Sequence, residues 1–188
     1  YVQEAAGGMV YRLIPVTEEI IRCVISATER IKEQESLIIE IYEYPQVAFE
    51  AVEENGVLTV KTSAVTAEVN LKTGGITWKH ADGSVWLNQN KADLTRIDVV
   101  HYNTGGEKPV INRVKTVEGE RNFIQKLKAE KVRDGYRARV FFDWKEDEEI
   151  HGLGQAEEGI YDYRNHTQYL YQHNMRIPMP VFVSTEGY

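Results

Sequence analysis

The clearest signal along the chain is an alternation of apolar and polar positions with a period of two. Val57, Thr59 and Lys61 fall on one side of a strand and Leu58 and Val60 on the other; Val65, Ala67, Val69 and Leu71 then alternate with Thr66, Glu68 and Asn70. Successive side chains of an extended strand point to opposite faces, whereas a helix repeats every 3.6 residues, so these runs predict strands. Turn dipeptides punctuate the chain: Asn55-Gly56, Gly74-Gly75, Asp82-Gly83, Gly105-Gly106, Glu118-Gly119 and Asp134-Gly135. Asn-Gly and Asp-Gly suit tight hairpins because both central residues of a type I′ turn need positive φ, and a strand is expected on either side of each pair. Residues 75–79 and 84–87 read as a hairpin around Asp82-Gly83, and residues 136–144 as a longer strand. A helix competes over residues 17–34, with Thr17 as N-cap and Ile20, Ile21, Val24 and Ile25 on one side. The density of β-branched residues favours a strand over residues 20–26. The expectation is an all-β, antiparallel chain with little helix. Without an internal repeat or a Pro/Ser-rich linker, residues 1–188 read as a single domain.

Composition narrows the function classes. A chain of 188 residues with 42% hydrophobic and 27% charged residues is an ordinary globular sequence, and at this length folding buries about 70% of the unfolded chain's surface. No apolar run approaches the roughly 20 residues needed to cross a bilayer. With 22 basic against 29 acidic residues and a net charge of −7, the chain argues against nucleic acid as partner, because phosphate binding relies on clustered Lys and Arg. The richest basic stretch, Lys126 to Lys131 with Arg133, is interrupted by Glu130 and Asp134 and reads as a solvated face. The lone cysteine, Cys23, sits in an apolar run and reads as a buried, inert thiol, compatible with a reducing compartment without requiring one. No Cys/His spacing matches a zinc site, and the five histidines, His80, His101, His151, His166 and His173, are scattered. Gly152-Leu-Gly154 begins like a dinucleotide fingerprint, but the third glycine would fall at Glu157. No cofactor and no metal are expected.

Residues 141–188 carry the most information. An acidic stretch leads into Gly152-Leu-Gly154-Gln155; a polar, aromatic connector follows with Tyr171-Gln-His-Asn174; and Ile177-Pro-Met-Pro-Val-Phe-Val-Ser184 precedes Gly187-Tyr188. This ordered set resembles the end of the N-terminal β-sandwich domain of glycoside hydrolase family 31, the α-glucosidase and α-xylosidase family. The family usually carries Gly-Leu-Gly followed by Glu or Gln, then Trp-Asn-x-Asp, then an Ile-Pro-Phe strand and Gly-Tyr-Gly. Residues 76–86 and 135–144 match it more weakly, so the resemblance spans about the last three quarters of the chain. It implies an antiparallel β-supersandwich of the galactose-mutarotase-like type. Gln155 is similar to the α-xylosidase-like branches.

The resemblance also implies where the chemistry lies. Retaining hydrolysis needs two carboxyl groups about 5–5.5 Å apart, which in the family are aspartates on a (β/α)₈ barrel that follows this domain. Such a barrel needs roughly 200 residues or more; it is expected downstream, and the chain, which begins with Tyr1 and ends in a strand and turn, reads as cut from something longer. Residues 1–188 are therefore expected to carry no catalytic residue, to pack on the barrel, and to lend a loop to the sugar pocket. The implied substrate-binding positions are Gln155, Tyr171, Gln172, His173 and Asn174, with carbohydrate and the barrel as partners, and no nucleic acid or membrane. Asn174 stands where the family has Asp, which keeps an acceptor, adds donors and loses the charge. Tyr161, Tyr163, Tyr169 and Tyr171 offer apolar faces with polar tips, suited to sugar rings and equally to packing against a neighbouring domain.

Other candidates are weaker. Glu146-Asp-Glu-Glu149 and Glu157-Glu158 read as solvated acidic runs, since neighbours on a strand diverge, and Asp143 and Glu50 stand alone. A mutarotase would need a His and a Glu converging on one centre; His80, His101 and His173 are the nominees, without a motif to support them. Asn165-His-Thr167 matches the N-glycosylation pattern. The alternative from another class is a free-standing carbohydrate-binding or structural sandwich module.

Overall fold

The computed structural model describes residues 1–31 and 46–188. Every element among them is a strand, as the alternation requires. β1 (Val2–Ala6), β2 (Met9–Pro15) and β3 (Ile21–Ser26) form an antiparallel sheet. β4 (Glu50–Glu54), β5 (Val57–Lys61), β6 (Val65–Asn70), β7 (Ile76–His80) and β8 (Val85–Asn103) form an antiparallel meander. β11 (Lys128–Asp143) adds to β8, giving the order β11-β8-β7-β6-β5-β4. β9 (Val110–Thr116) pairs with β10 (Gly119–Gln125), and β12 (Ile150–Gln155) with β13 (Ile177–Ser184). The chain divides into two compact units, one made of Tyr1–Ala92 with Val140–Tyr188 and the other of Asp93–Arg139.

The first unit holds the core. Register places Leu58 opposite Val69 and Val60 opposite Ala67, so the apolar half of the alternation shares one face. That face meets Ala6, Tyr11 and Leu13 of the smaller sheet; all of these residues are 3% exposed or less. Each buried Val or Leu contributes about 1.5–3 kcal/mol by leaving water. The Tyr11 hydroxyl is satisfied by donating to the carbonyl of Gly74 at 2.8 Å.

The expected turns at Asn55-Gly56 and Asp82-Gly83 form hairpins, with φ of 53° at Asn55 and 77° at Gly56. Asp134-Gly135 does not turn; β11 runs straight through it. Gly135 is needed there for space, because a Cβ would come within 2.7 Å of Val99 Cγ2 on β8, while the Asp134 carboxylate is occupied by Arg96 (2.5 Å) and Lys131 (2.8 Å). Those two cations hold its pKa down at about 2. Residues 21–26 form the favoured strand, pairing Cys23 with Leu13. Thr17 caps a hairpin turn, its hydroxyl accepting from the Glu19 amide at 3.2 Å, and Gln34 at the far end of the alternative helix lies outside the described residues. Cys23 is partly buried, and burial pushes its thiol up to about 12.

The second unit is built differently. None of its residues is buried. Its β9–β10 ribbon places Ile111 opposite Ile124 and Val114 opposite Arg121, with every residue of both strands exposed.

Candidate functional site

The segment from β11 to the last residue is organised by Gly152-Leu153-Gly154. All three residues have positive φ, at 102°, 60° and 91°, a conformation that glycine adopts freely and leucine at a cost of about 1–2 kcal/mol. The register explains the need. Gly152 faces Phe182 and Gly154 faces Pro178, so Leu153 alone stands opposite Met179, Pro180 and Val181. The wide bulge brings the β13 backbone onto the glycines. A Cβ on Gly152 would lie 2.7 Å from the Val181 carbonyl oxygen, and one on Gly154 would overlap the Ile177 carbonyl and reach 2.7 Å from the Met179 nitrogen. The Gly-Leu-Gly signature is thus a backbone device that turns β12 and presents Gln155 at its end.

Gln155 lines a hollow of about 340 Å³ with His151, Gly152, Gly154, Ala156, Ile160, Tyr161 and Tyr163. His151 packs on Tyr161 with the rings tilted by 49° and their centroids 4.5 Å apart; its Nδ1 lies 2.9 Å from the Tyr161 carbonyl and its Nε2 3.2 Å from Glu149 Oε2. Tyr161 is 79% exposed, and Tyr163 is buried.

The connector is held by Arg176, which pairs with Glu158 across the loop. Tyr171 packs on His173 at 5.1 Å, Gln172 Nε2 donates to the Arg176 carbonyl at 2.5 Å, and His173 Nδ1 lies 2.6 Å from the Asn174 carbonyl. Asn174 is exposed. The five implied substrate positions therefore fall in two places: Gln155 in the hollow, and Tyr171, Gln172, His173 and Asn174 on the turn before β13, none of which lines that hollow.

The acidic run departs from expectation. Glu148 is 2% exposed and joins three segments: its Oε1 accepts from the Ser184 hydroxyl (2.5 Å) and the Tyr188 hydroxyl, and its Oε2 from the Lys145 amide (2.8 Å). Burial works to raise its pKa, but the bonds from Ser184, Tyr188 and Lys145 outweigh it and the carboxyl titrates below the ordinary glutamate range. Burial and the same carboxylate push the Tyr188 phenol well above its usual value. Arg164 Nη1 donates to the Glu148 carbonyl at 2.8 Å and also to the Lys145 carbonyl. Asp162 Oδ1 accepts from the amides of Arg164 and Ile150, each at 2.9 Å, which lowers its pKa. Around this hub Trp86, Phe182 and Tyr188 make edge contacts at 6.0–6.4 Å.

No family model matches the chain. Among solved structures, it is similar to a GH31 α-xylosidase from Xanthomonas citri, with a TM-score of 0.67 and 22% identity, covering 98% of this chain and 17% of that one. It is also similar to a GH31 α-xylosidase from a soil metagenome, solved with xylose, with a TM-score of 0.65 and 15% identity, covering 98% of this chain and 25% of that one. The fold is shared with part of each enzyme. The resemblance read from Gly-Leu-Gly-Gln and the residues after it is borne out at the level of the fold, and the chain spans a quarter or less of either neighbour.

The structure also sorts the remaining candidates. Glu148 is a buried anchor, which corrects its reading as a solvated charge, whereas Glu158 stays exposed and pairs with Arg176; the sequence signal for Glu148 is its place four residues before Gly152, with Ser184 and Tyr188 in the following motif. Asp143 is not isolated, since it accepts from Asn90 Nδ2 at 3.0 Å. His80 packs on Trp86 at 4.7 Å. Among the described residues the histidine that meets a carboxylate is His151, which no spacing singled out, and no three His, Cys, Asp or Glu side chains cluster as metal ligands.

Proposed function

We propose that residues 1–188 are a single non-catalytic domain of a family 31 retaining α-glycosidase, packing on a catalytic (β/α)₈ barrel and contributing a loop to the sugar pocket. The observation that carries the reading is the fold, matched over 98% of this chain to a small part of two α-xylosidases. The surface around the candidate site supports it. Ile177, Met179, Val181 and Val183 alternate along β13 and are 53–60% exposed, an apolar strand face of the kind a neighbouring domain covers. α-Xylosides are the substrate class to test first, with Gln155, Tyr171, Gln172, His173 and Asn174 as the loop residues that meet the sugar.

Two proteins test this: the 188-residue chain, and the complete polypeptide encoded around it. With an aryl α-xyloside the chain alone should be inactive, and the complete polypeptide should release xylose with retained anomeric configuration. Asn174→Ala and Gln155→Ala in the complete polypeptide should each raise KM about tenfold, the worth of one well-made hydrogen bond. Turnover by the isolated chain, or a complete polypeptide with no glycosidase activity, would overturn the reading. The exposed Tyr161 beside the hollow favours a second reading, a free-standing carbohydrate-binding module. That reading requires the isolated chain to bind xylosides by calorimetry and to lose binding in Tyr161→Ala.

A further inference from the structure

Between the start of β3 and the β7–β8 hairpin, all within the first unit, lies a cavity of about 200 Å³. Trp78, Trp86 and Tyr188 put three aromatic rings on its walls, and Ile21, Val65 and Leu87 make up the aliphatic part. The register shows how two neighbours on β8 come to share it. Trp78 pairs with Leu87 and Lys79 with Val85, so Trp86 is the extra residue of a bulge. Adjacent residues of a regular strand point to opposite faces; the bulge turns Trp86 to the side that Leu87 already occupies, as bulges do where a side chain must be re-aimed. The indole is then fixed on three sides. His80 packs on it at 4.7 Å, Tyr188 stands at 84° to it with centroids 6.0 Å apart, and its Nε1 donates to the Glu186 carbonyl at 3.2 Å.

The polar groups of the cavity define what it can take. The Tyr188 hydroxyl is used by Glu148 and the Trp86 Nε1 by Glu186, so a sugar would leave most of its hydroxyls unpaired there. The free polar group is Glu19, an exposed residue on the turn before β3 that lines the cavity and has no cation within ion-pair distance among the described residues. The charges nearby are already matched. Lys145 pairs with Glu186, Glu148 is satisfied by Ser184, Tyr188 and the Lys145 amide, and Arg164 donates to the carbonyls of Lys145 and Glu148. Lys79 pairs with Glu68, and Arg22 follows Ile21 on β3 and so points to the opposite face of that strand.

We propose that this cavity is a binding site for a small organic cation carrying methyl groups, a quaternary ammonium of the choline type. The face of an indole or phenol ring attracts a cation placed over it, and Trp is the strongest of the aromatic partners. The methyl groups leave water against Ile21, Val65 and Leu87, and the Glu19 carboxylate at the turn answers the charge. A neutral apolar group would use the walls and leave the carboxylate idle; the cation uses both.

Ligand-observed NMR on the 188-residue chain tests it, with choline chloride as the probe and ionic strength held constant with sodium chloride. Saturating the aromatic protons of the protein should transfer signal to the choline methyl protons, and a titration should give a dissociation constant in the millimolar range. The neutral carbon isostere of choline, 3,3-dimethylbutan-1-ol, should bind about tenfold more weakly because it has the same shape without the charge. Glu19→Gln, on an exposed side chain, should weaken choline about threefold and leave the isostere unaffected. Trp86→Leu keeps an apolar wall and removes the ring, and should weaken choline about tenfold with circular dichroism unchanged. No transfer to choline, equal binding of choline and its isostere, or a Glu19→Gln chain that binds choline like the wild type would each overturn the proposal; the first two are read on the wild type and the third on a surface substitution, so none depends on whether Trp86→Leu folds.

Discussion

Replacing Glu148 by Gln tests whether the acidic run before Gly-Leu-Gly is an anchor. The side chain is 2% exposed and accepts from Ser184, Tyr188 and the Lys145 amide. A glutamine can keep its oxygen on the Lys145 amide only by turning its NH₂ toward the two hydroxyls, so two bonds to a carboxylate become bonds to a neutral donor. Hydrogen bonds to a charged group are worth about 1.5–3 kcal/mol against about 1 for neutral ones; less burial cost for the neutral side chain offsets part of the difference. The net loss should be about 2 kcal/mol, read as a lower urea midpoint at unchanged slope. The pH dependence identifies the cause. The folded-state pKa of Glu148 lies below its ordinary value of 4.5, so its contribution is full above that value and is lost as pH falls through the lower, folded-state pKa. Wild type and Glu148→Gln should therefore differ at pH 7 and converge in acid, where the wild-type carboxyl is protonated. In Glu148→Gln the Tyr188 phenol should also titrate closer to its ordinary value. Equal urea midpoints at pH 7, or a gap that persists undiminished in acid, would refute the anchor.

Gly154→Ala places a Cβ against the Ile177 carbonyl in a backbone that also disfavours it, and should cost about 3 kcal/mol or more, whereas Gly56→Ala, with a similar φ of 77° and open space around it, should cost only about 1–2; equal melting temperatures for the two would separate the bulge from any steric need. Tyr11→Phe removes the hydroxyl that satisfies the Gly74 carbonyl and should lower stability by about 1–2 kcal/mol, measured by urea unfolding and contradicted by an unchanged midpoint. With its thiol pushed up to about 12, Cys23 should resist iodoacetamide at pH 8 in the folded chain, where roughly one part in ten thousand is thiolate, and react once urea unfolds it; fast alkylation without denaturant would contradict the burial.

Much of the first unit was legible in the chain. The alternation of Leu58, Val60, Ala67 and Val69 with polar neighbours dictates strands whose inner faces must be covered, and Asn55-Gly56 dictates the hairpin between two of them, because these properties depend only on local backbone geometry and on which side chains leave water. Gly-Leu-Gly was legible as a backbone signature for the same reason: three consecutive positive φ values tolerate few residues. What Asp134-Gly135, Glu148 and Arg176 do was not legible. Each is decided by a partner far along the chain: Arg96 pairs with Asp134 and Val99 takes the space beside Gly135, Ser184 and Tyr188 make a buried anchor of one glutamate in an acidic run, and Glu158 holds the connector across its loop. By itself the sequence determined the all-β class and the hairpins at Asn55-Gly56 and Asp82-Gly83. Tertiary structure decided which carboxylates are buried and where Gln155 and Asn174 stand, since burial and pairing are set by the approach of distant strands.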